Sequence, residues 1–498
     1  MRIVIGALFA CALVGESAFT QAPAAVPTQP ASSAGAQGSA AGELAGRWTG
    51  KASSGDEGTR ITLQVFRRDG QMAAEMTLPD IGVSGWPANR VEQVGKTLRL
   101  TFPSDGGPQE MVLEAHDSRL SGQWSEQRYP QPALVELHAT SEPGILEERV
   151  TVTGTAGRLG ASVIMPDGEG PFPGIVFLHG SGPQPRDANR FAAQTFARAG
   201  IASIIFDKRG VGESGGELAG ASFEDLAADA IAVAEHLKAR PKISRVGFFG
   251  HSQGGWIGPL AGGRWDPTAF VISSSGPAVP PSREGEWDVV GNLRRQRAGE
   301  AAEEKARRVI QSWHEGVRSG EWAGFDSAFS TVTREPWFAA SGLSEFASRP
   351  DESFSKSYRA FMDYDPIPAL QRLRAPLLAL LSPDDESIDA VETAAILKTL
   401  VKSGTDITIK LYPGYDHTMR RLSAGGVAPR WPELPTDYFD VQSAFIQEAA
   451  RPRLPTPTRG LMPTSPVPIG VMLVATGAAL GPALRAASVD PSQALRED

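Results

Sequence analysis

The pentapeptide GHSQG at residues 250–254 is the feature that most constrains how this chain of 498 residues can fold. An apolar run, residues 245–249, precedes it, and this order predicts a buried strand that turns sharply into a helix. The glycines on either side of Ser252 relieve crowding in the turn, which lifts the serine hydroxyl clear of the backbone. Because a serine hydroxyl is a weak nucleophile without a base, the turn also predicts a histidine and a carboxylate farther along the chain.

The carboxylate is expected in the acidic loop SPDDESI at residues 382–388, which follows a strand-like apolar run. A carboxylate at the end of a core strand is well placed to orient a histidine. On its spacing from the strand, Asp385 is preferred over the other acidic residues of this region, which are Asp384, Glu386 and Asp389. Such a cluster taken alone is more typical of a solvated surface loop, so the assignment depends on a histidine that could use it.

The base is expected to be His417, in the loop after the last predicted strand, residues 407–411. The other six of the seven histidines fit this role less well. Four lie in the β-rich N-terminal part, in a helix or in a predicted cap, while His251 should point away from the site and His179 precedes it. The chain order serine, carboxylate, histidine is one in which catalytic triads occur, so Ser252, Asp385 and His417 are the predicted triad.

Two backbone N–H groups are expected to stabilise the oxygen that becomes negative when a carbonyl is attacked. One belongs to Gln253, at the start of the helix after the nucleophile, where unpaired donors and the helix dipole favour an anion. The second is expected from the turn GSGP at residues 180–183, with the N–H of Ser181 as the preferred donor. His179, just before this turn, is expected to be a structural hydrogen-bonding residue rather than a second base.

Strand-like and helical stretches alternate between residues 148 and 450. The predicted strands are an antiparallel pair, 150–152 and 159–165, followed by 174–179, 201–206, 246–250, 270–274, 377–381 and 407–411. The clearest helix covers residues 223–237, with Ser222 as its N-cap. This alternation predicts an α/β fold with a mostly parallel, doubly wound sheet. Residues 280–373 break it with amphipathic helical sequence, which predicts a cap over the carboxyl ends of the strands.

Residues 44–142 have a different pattern, with short alternating strands separated by turn residues. Three of these strands are predicted at residues 60–66, 98–102 and 134–137. Strands at this spacing predict a small antiparallel barrel or sandwich. Its tryptophans could stack on a ligand, but core packing is the preferred role for all three, Trp48, Trp86 and Trp124.

The N-terminal end combines two segments that are not expected to join a folded core. Residues 1–20 carry one positive charge and a short apolar run, which predicts a secretory signal peptide and export to the periplasm. Residues 21–43 have the Ala-, Pro- and Ser-rich composition of a linker. Cys11, the only cysteine, lies in the signal peptide, so the mature protein is expected to have no disulfide.

The C-terminal tail, residues 451–498, joins a linker to an apolar segment at about 467–485. That segment is long enough to cross a bilayer, although glycines and prolines interrupt it. It resembles the last transmembrane helix and cytoplasmic tail of FtsX-like ABC-transporter permeases, over less than a tenth of the chain. A membrane anchor and a helix lying on a surface remain open alternatives.

Composition and spacing argue against several other kinds of ligand. The net charge of −9 disfavours a nucleic acid partner. The histidines are scattered without ligand spacing, so no metal is expected. The GVG at residues 210–212 lacks the third glycine of a dinucleotide fingerprint, so no cofactor is expected. The expected partner is a small-molecule ester, and the oligomeric state is left open.

Five short motifs carry a resemblance to a known family: residues 179–183, 207–214, 250–255, 364–366 and 416–417. Over residues 148–450 the chain resembles exported bacterial α/β-hydrolases of the EstD esterase type, which are related to dienelactone-hydrolase-like enzymes and serine aminopeptidases. The resemblance implies the α/β-hydrolase fold and a carboxylesterase acting on short acyl esters, with the predicted triad in its active site. Ser382 departs from the family pattern, which usually has glycine before the acid.

Two alternatives to a carboxylesterase remain. The same machinery cleaves amides, so a serine peptidase or aminopeptidase is the first. A non-enzymatic subunit, tethered beside a membrane transporter through its tail, is the second.

Overall fold

The computed structural model describes residues 44–68, 70–104, 107–140, 145–422 and 430–451. The predicted signal peptide, the linker and the apolar tail at 467–485 lie outside these residues. Among the described residues, no helix is both long enough and apolar enough to span a bilayer.

The N-terminal module is a nine-stranded antiparallel sheet. Its strands, in chain order, are β1 (Gly46–Ser54), β2 (Glu57–Arg68), β3 (Gln71–Leu78), β4 (Val83–Pro87), β5 (Arg90–Val94), β6 (Thr97–Phe102), β7 (Gln109–His116), β8 (Arg119–Ser125) and β9 (Ala133–Ala139). They pair in the order β4-β3-β2-β1-β9-β8-β7-β6-β5. The edge strands β4 and β5 are joined only by Ala88 and Asn89, so the sheet curls until its two edges meet at this linker.

Alternating side chains of the module face a single apolar interior. In β2, for example, Ile61, Leu63 and Val65 are buried while their neighbours are more exposed. The three tryptophans predicted to be core residues, Trp48, Trp86 and Trp124, are buried in this interior. The module is therefore the small antiparallel β structure that the alternating pattern predicts.

The second sheet has eight strands and is mostly parallel, as predicted. Its strands are β10 (Ile145–Gly154), β11 (Gly157–Pro166), β12 (Phe172–Leu178), β13 (Ala202–Phe206), β14 (Ile243–His251), β15 (Thr268–Ser274), β16 (Leu377–Leu381) and β17 (Ile407–Leu411). They pair in the order β10-β11-β13-β12-β14-β15-β16-β17, and only the pairs β10–β11 and β11–β13 are antiparallel. The parallel strands therefore share one carboxyl edge, where the loops after β12, β14, β16 and β17 meet.

The described α-helices pack around this sheet or above its carboxyl edge. They are α1 (Arg190–Arg198), α2 (Phe223–Lys238), α3 (Gly254–Arg264), α4 (Pro281–Arg295), α5 (Glu300–Ser319), α6 (Ala323–Ser330), α7 (Phe338–Ser341), α8 (Glu352–Arg359), α9 (Ile367–Arg372), α10 (Ala390–Lys402) and α11 (Tyr438–Ala449). Ser222 caps α2 as predicted, in a capping box with Asp225. Helices α4 to α9 lie between β15 and β16. The apolar side chains of α4 to α8 form a core of their own around Trp313 and Tyr358, whereas those of α9 pack into the core of the sheet.

The N-terminal module is attached to the second sheet through the chain segment after β17. The side chain of Trp431 enters the interior of the module, where it is 4% exposed and packs 5.9 Å from the ring of Trp124. The neighbouring Arg430 pairs with Glu126 at 2.9 Å and donates to the carbonyl of Gln131 at 3.1 Å. These buried contacts join the two parts of the chain.

Replacing Trp431 with alanine should destabilise this junction. Removing a buried tryptophan leaves a cavity that typically costs about 3–5 kcal/mol of unfolding free energy. We expect a lower urea midpoint for Trp431→Ala, measured by tryptophan fluorescence and circular dichroism. The control is Val94→Ala, because Val94 is 72% exposed on an edge strand and should leave the midpoint unchanged. Equal midpoints for the two variants would show that Trp431 does not secure the module.

Candidate active site

Ser252 occupies the sharp turn between β14 and α3. Its backbone has φ +53°, a left-handed conformation that a residue other than glycine rarely adopts. The turn is held by the Ser252 N–H, which donates to the carbonyl of Ser274 at 3.0 Å. A Cβ at Gly250 would lie 1.9 Å from the carbonyl oxygen of Gly254, so only glycine fits there. The sequence pattern around Ser252 is therefore the one that this geometry requires.

Asp385 and His417 form a buried hydrogen-bonded pair. The Nδ1 atom of His417 lies 2.9 Å from both carboxylate oxygens of Asp385, and both side chains are fully buried. Asp385 also accepts hydrogen bonds from the backbone N–H groups of Ser387 at 2.8 Å and Ile388 at 3.0 Å. Donation from Nδ1–H to the carboxylate makes Nε2 the basic atom of the neutral imidazole.

The end of β15 holds the serine turn and the histidine loop next to each other. The Ser274 carbonyl accepts from the Ser252 N–H, and the Ser275 hydroxyl donates to the His417 carbonyl at 2.7 Å. The ring of His251, beside Ser252 in sequence, lies with its centroid 5.0 Å from that of His417. The expectation that His251 points away from the site is therefore wrong. Burial lowers the pKa of His251 to about 3, which keeps it neutral against the other ring.

The acidic loop after β16 is hydrogen-bonded to the histidine loop, with Asp385 buried and Asp384 exposed. Asp384 accepts from the N–H of Gly414 at 2.7 Å, and Glu386 accepts from the N–H of His417 at 3.2 Å. Ser382, which departs from the family pattern, donates its hydroxyl to the carbonyl of Tyr415 at 2.5 Å. The departure thus adds a hydrogen bond between the two loops.

The turn at residues 180–183 lies beside the nucleophile. A Cβ placed on Gly180 would be 3.7 Å from the Cβ of Ser252. The side chain of Gln184 closes this turn, accepting from the Gly180 N–H at 3.1 Å and donating to the Ser181 carbonyl at 3.2 Å. Gln253 directly precedes α3, so its N–H lies at the start of that helix. Both predicted oxyanion donors are therefore carried by segments that border Ser252.

His179 is buried behind this turn, edge-on to the ring of Phe206 at 4.9 Å. Burial, assisted by the nearby charge of Lys208, lowers the pKa of His179 to about 3. A backbone hydrogen bond at Phe206 acts in the opposite direction. A neutral, buried ring bonded to the backbone fits the structural role expected for His179.

The motif at residues 207–214 is held by two buried ion pairs. Arg186 pairs with Asp207 at 2.6 Å, and Arg209 pairs with Asp229 at 2.7 Å. Burial acts to raise the pKa of Asp207, but the hydrogen bonds from Arg186 lower it overall. Asp207 and Arg209 therefore fix the loop beside the site in place.

Lys208, between those two residues, is a site residue that the sequence analysis missed. It is 3% exposed, and its ammonium group donates to the carbonyls of Gly180 and Gly182 and to the side chain of Gln253. Burial lowers the pKa of Lys208 to about 7. The available signal was a lysine two residues after the fully buried strand β13, since a buried lysine needs polar partners.

Glu284, in the first turn of α4, is a second residue that was missed. It is 9% exposed, and burial raises the pKa of its carboxyl group to about 8. The charges of His417 and Asp385 act on the pKa of this group in opposite directions, so Glu284, on the cap, lies within electrostatic range of the pair. The sequence carried no signal for it, because its burial depends on how the cap docks.

Across the described part of the chain, no group of three or more His, Cys, Asp or Glu side chains is arranged to hold a metal ion.

Comparisons with known proteins give one family model and several relatives. A model described as "Serine aminopeptidase, S33" matches residues 171–339. Esterase EstD of Thermotoga maritima is 31% identical over 156 residues, which are 30% of this chain and 36% of that protein. Non-heme chloroperoxidase of Burkholderia pyrrocinia is 28% identical over 265 residues, 50% of this chain and 87% of that protein. The crystal structure of a proline iminopeptidase from Mycobacterium smegmatis has a TM-score of 0.39 and 18% identity, covering 61% of this chain and 99% of that chain.

The family match ends at residue 339, so the resemblance of the tail to transporter permeases stays a prediction. The predicted resemblance to α/β-hydrolases is confirmed by the family model and the two sequence relatives. The order of the second sheet and the serine turn that follows β14 give the chain the α/β-hydrolase fold, in agreement with the family model and the two sequence relatives that it resembles.

Proposed function

We propose that this protein is an exported serine esterase that cleaves carboxylic esters of small molecules through an acyl-enzyme intermediate. The observation that carries the proposal is the buried hydrogen bond between His417 and Asp385, beside a serine held at φ +53°. A histidine oriented in this way can accept a proton from a neighbouring hydroxyl and stabilise the charge that follows. Export rests on the predicted signal peptide.

In the proposed reaction, His417 Nε2 takes the proton of Ser252 as its Oγ attacks the ester carbonyl. The carbonyl oxygen becomes negative and is stabilised by the N–H groups of Gln253 and Ser181. His417 then gives the proton to the leaving alcohol, which departs as the acyl-enzyme forms. A water molecule, deprotonated by the same histidine, attacks the acyl-enzyme and releases the carboxylic acid and free Ser252.

The preference for esters is supported by the similarity to EstD, whose matched region is 36% of that protein. An alcohol is also an easier leaving group than an amine, because an amine must be protonated before it departs. The geometry of the pair Asp385–His417 serves either substrate, so the choice depends on the cap.

Ser252→Ala should abolish hydrolysis of p-nitrophenyl butyrate and covalent labelling by a fluorophosphonate. Both reactions need the same nucleophilic oxygen, and loss of a triad member typically lowers turnover by about a millionfold. The control is Ser330→Ala, because Ser330 is an exposed cap residue whose hydroxyl donates to the local carbonyl of Ser327. Activity is followed spectrophotometrically, and the labelled peptide is identified by mass spectrometry.

Labelling that persists in Ser252→Ala would contradict the proposed nucleophile. The transporter-subunit alternative is tested with the same substrate in a chain truncated after about residue 455. Hydrolysis that is retained after truncation and lost in Ser252→Ala rejects that alternative.

Aminopeptidase activity is a second candidate function, favoured by Glu284. A buried carboxyl group on the cap, within electrostatic range of His417, is suited to pair with the ammonium group of a substrate. Burial raises the pKa of Glu284 to about 8, and a bound ammonium would favour its charged form. The family model that matches residues 171–339 is compatible with this activity.

Glu284→Gln separates the two candidates. If the substrate is an aminoacyl compound, the variant should lose at least tenfold in kcat/KM toward aminoacyl p-nitroanilides, because one charge-assisted hydrogen bond is lost. Its activity on p-nitrophenyl butyrate, which carries no ammonium group, should change little. Glu286→Gln, on the same helix, is the matched control. Equal kcat/KM toward the anilides in both variants, or no anilide hydrolysis by the wild type, excludes the aminopeptidase candidate.

A further inference from the structure

The buried ammonium group of Lys208 connects the two segments that border the nucleophile. It donates at 2.8 Å to the carbonyl of Gly180, at 3.0 Å to that of Gly182 and at 2.7 Å to Oε1 of Gln253. An ammonium group has three N–H donors, so all three are used in these contacts. The first two acceptors belong to the turn after β12, and the third belongs to the residue that follows Ser252.

The contact with Gly180 also sets the direction of the next N–H group. The peptide bond between Gly180 and Ser181 is trans, since the cis bond in the described residues is the one between Gly170 and Pro171. In a planar trans peptide the C=O and the N–H point in opposite directions. Because the Gly180 carbonyl points at Lys208, the Ser181 N–H points to the opposite side of the turn.

The charged side chains next to Lys208 are paired with other residues. Asp207 is engaged by Arg186 and Asp229 by Arg209, and His179 is held neutral. The ammonium group of Lys208 is thus bound by carbonyl and amide oxygens. Burying a charged group in this way has a desolvation cost that no ion pair offsets. A buried lysine whose three ammonium hydrogen bonds go to this turn and to Gln253 points to a role in positioning them.

We propose that Lys208 is a positioning residue that builds the oxyanion hole, by holding the turn at residues 180–182 and Gln253 at a fixed separation with their N–H groups turned toward the reacting carbonyl. The inference rests on the proposed function, because it assigns these N–H groups to the acyl transfer described above. Lys208 itself touches no reacting atom. Its effect is to preorganise two donors that would otherwise have to be ordered during the reaction.

Lys208→Met tests this role, because methionine has a similar length and no N–H donor. Loss of one oxyanion donor typically lowers turnover by about a hundredfold or more. We therefore expect about a hundredfold slower fluorophosphonate labelling of Ser252 and a similar loss in kcat for p-nitrophenyl butyrate, with KM within about threefold. Lys242→Met is the control, since its exposed ammonium also donates to a backbone carbonyl, that of Gly168 at 2.7 Å, and should change neither quantity.

Gln253→Met is the second variant, which removes one of the three acceptors and keeps the lysine. It should slow labelling about tenfold, and the double variant should be no slower than Lys208→Met alone, because the two side chains act through one contact. Gln253→Met also keeps the test decisive if Lys208→Met does not fold. Circular dichroism and thermal melting establish which variants are folded.

The outcomes separate this inference from the proposed function. Wild-type labelling rates in folded Lys208→Met, or in Gln253→Met, overturn the role of Lys208 and leave the esterase proposal intact. Rapid labelling of the wild type without ester turnover overturns the esterase proposal, while slower labelling in Lys208→Met still supports the positioning role. A KM that rises in parallel with the loss of kcat would identify a general distortion of the site and overturn the inference.

Discussion

The buried hydrogen bond between His417 and Asp385 is the interaction on which the rest of the site depends. Its partners follow β17 and β16, two neighbouring parallel strands whose last residues, Leu381 and Leu411, are paired in register. The register therefore brings the two loops to the same edge, and their mutual hydrogen bonds hold them there. Removing one member of a buried, hydrogen-bonded pair typically costs about 3–5 kcal/mol, so the loops and the pair stabilise one another.

The segments around this pair are connected to one another by hydrogen bonds and packing. β15 supplies contacts to both the serine turn and the histidine loop, while Lys208 connects the oxyanion segments on the other side. The histidine loop continues beyond the sheet, since the Arg421 N–H donates to the carbonyl of Glu433 at 2.8 Å. Glu433 follows Trp431, which is buried in the N-terminal module. The module is thus linked by hydrogen bonds and packing to the loop that carries the proposed base.

Much of the fold and the core of the site could be predicted from local pattern. The apolar run of the buried strand β16 and the apolar–polar alternation of the edge strand β17 allowed both strands to be predicted residue for residue. The N-cap of α2 was predicted from Ser222. The turn at Ser252 leaves little room for a side chain at either glycine of the pentapeptide, so these glycines mark it in the sequence. Glu284 could not be recognised in this way, and Lys208 gave only the signal of its place close to a buried strand, because lysine and glutamate are usually exposed and only the tertiary packing buries these two. The position of the His251 side chain could not be predicted either, because it is set by packing against the histidine loop, which is distant in sequence.

Proton NMR of the His417 Nδ1–H is the most direct test of this account. A proton shared between a buried imidazole and a carboxylate resonates far downfield of the other exchangeable protons and is protected from solvent. We expect such a resonance in the wild-type protein, its disappearance in His417→Gln and its loss or marked upfield shift in Asp385→Asn. A wild-type spectrum without a downfield resonance, or one whose resonance is unchanged in Asp385→Asn, would contradict the hydrogen bond between His417 and Asp385.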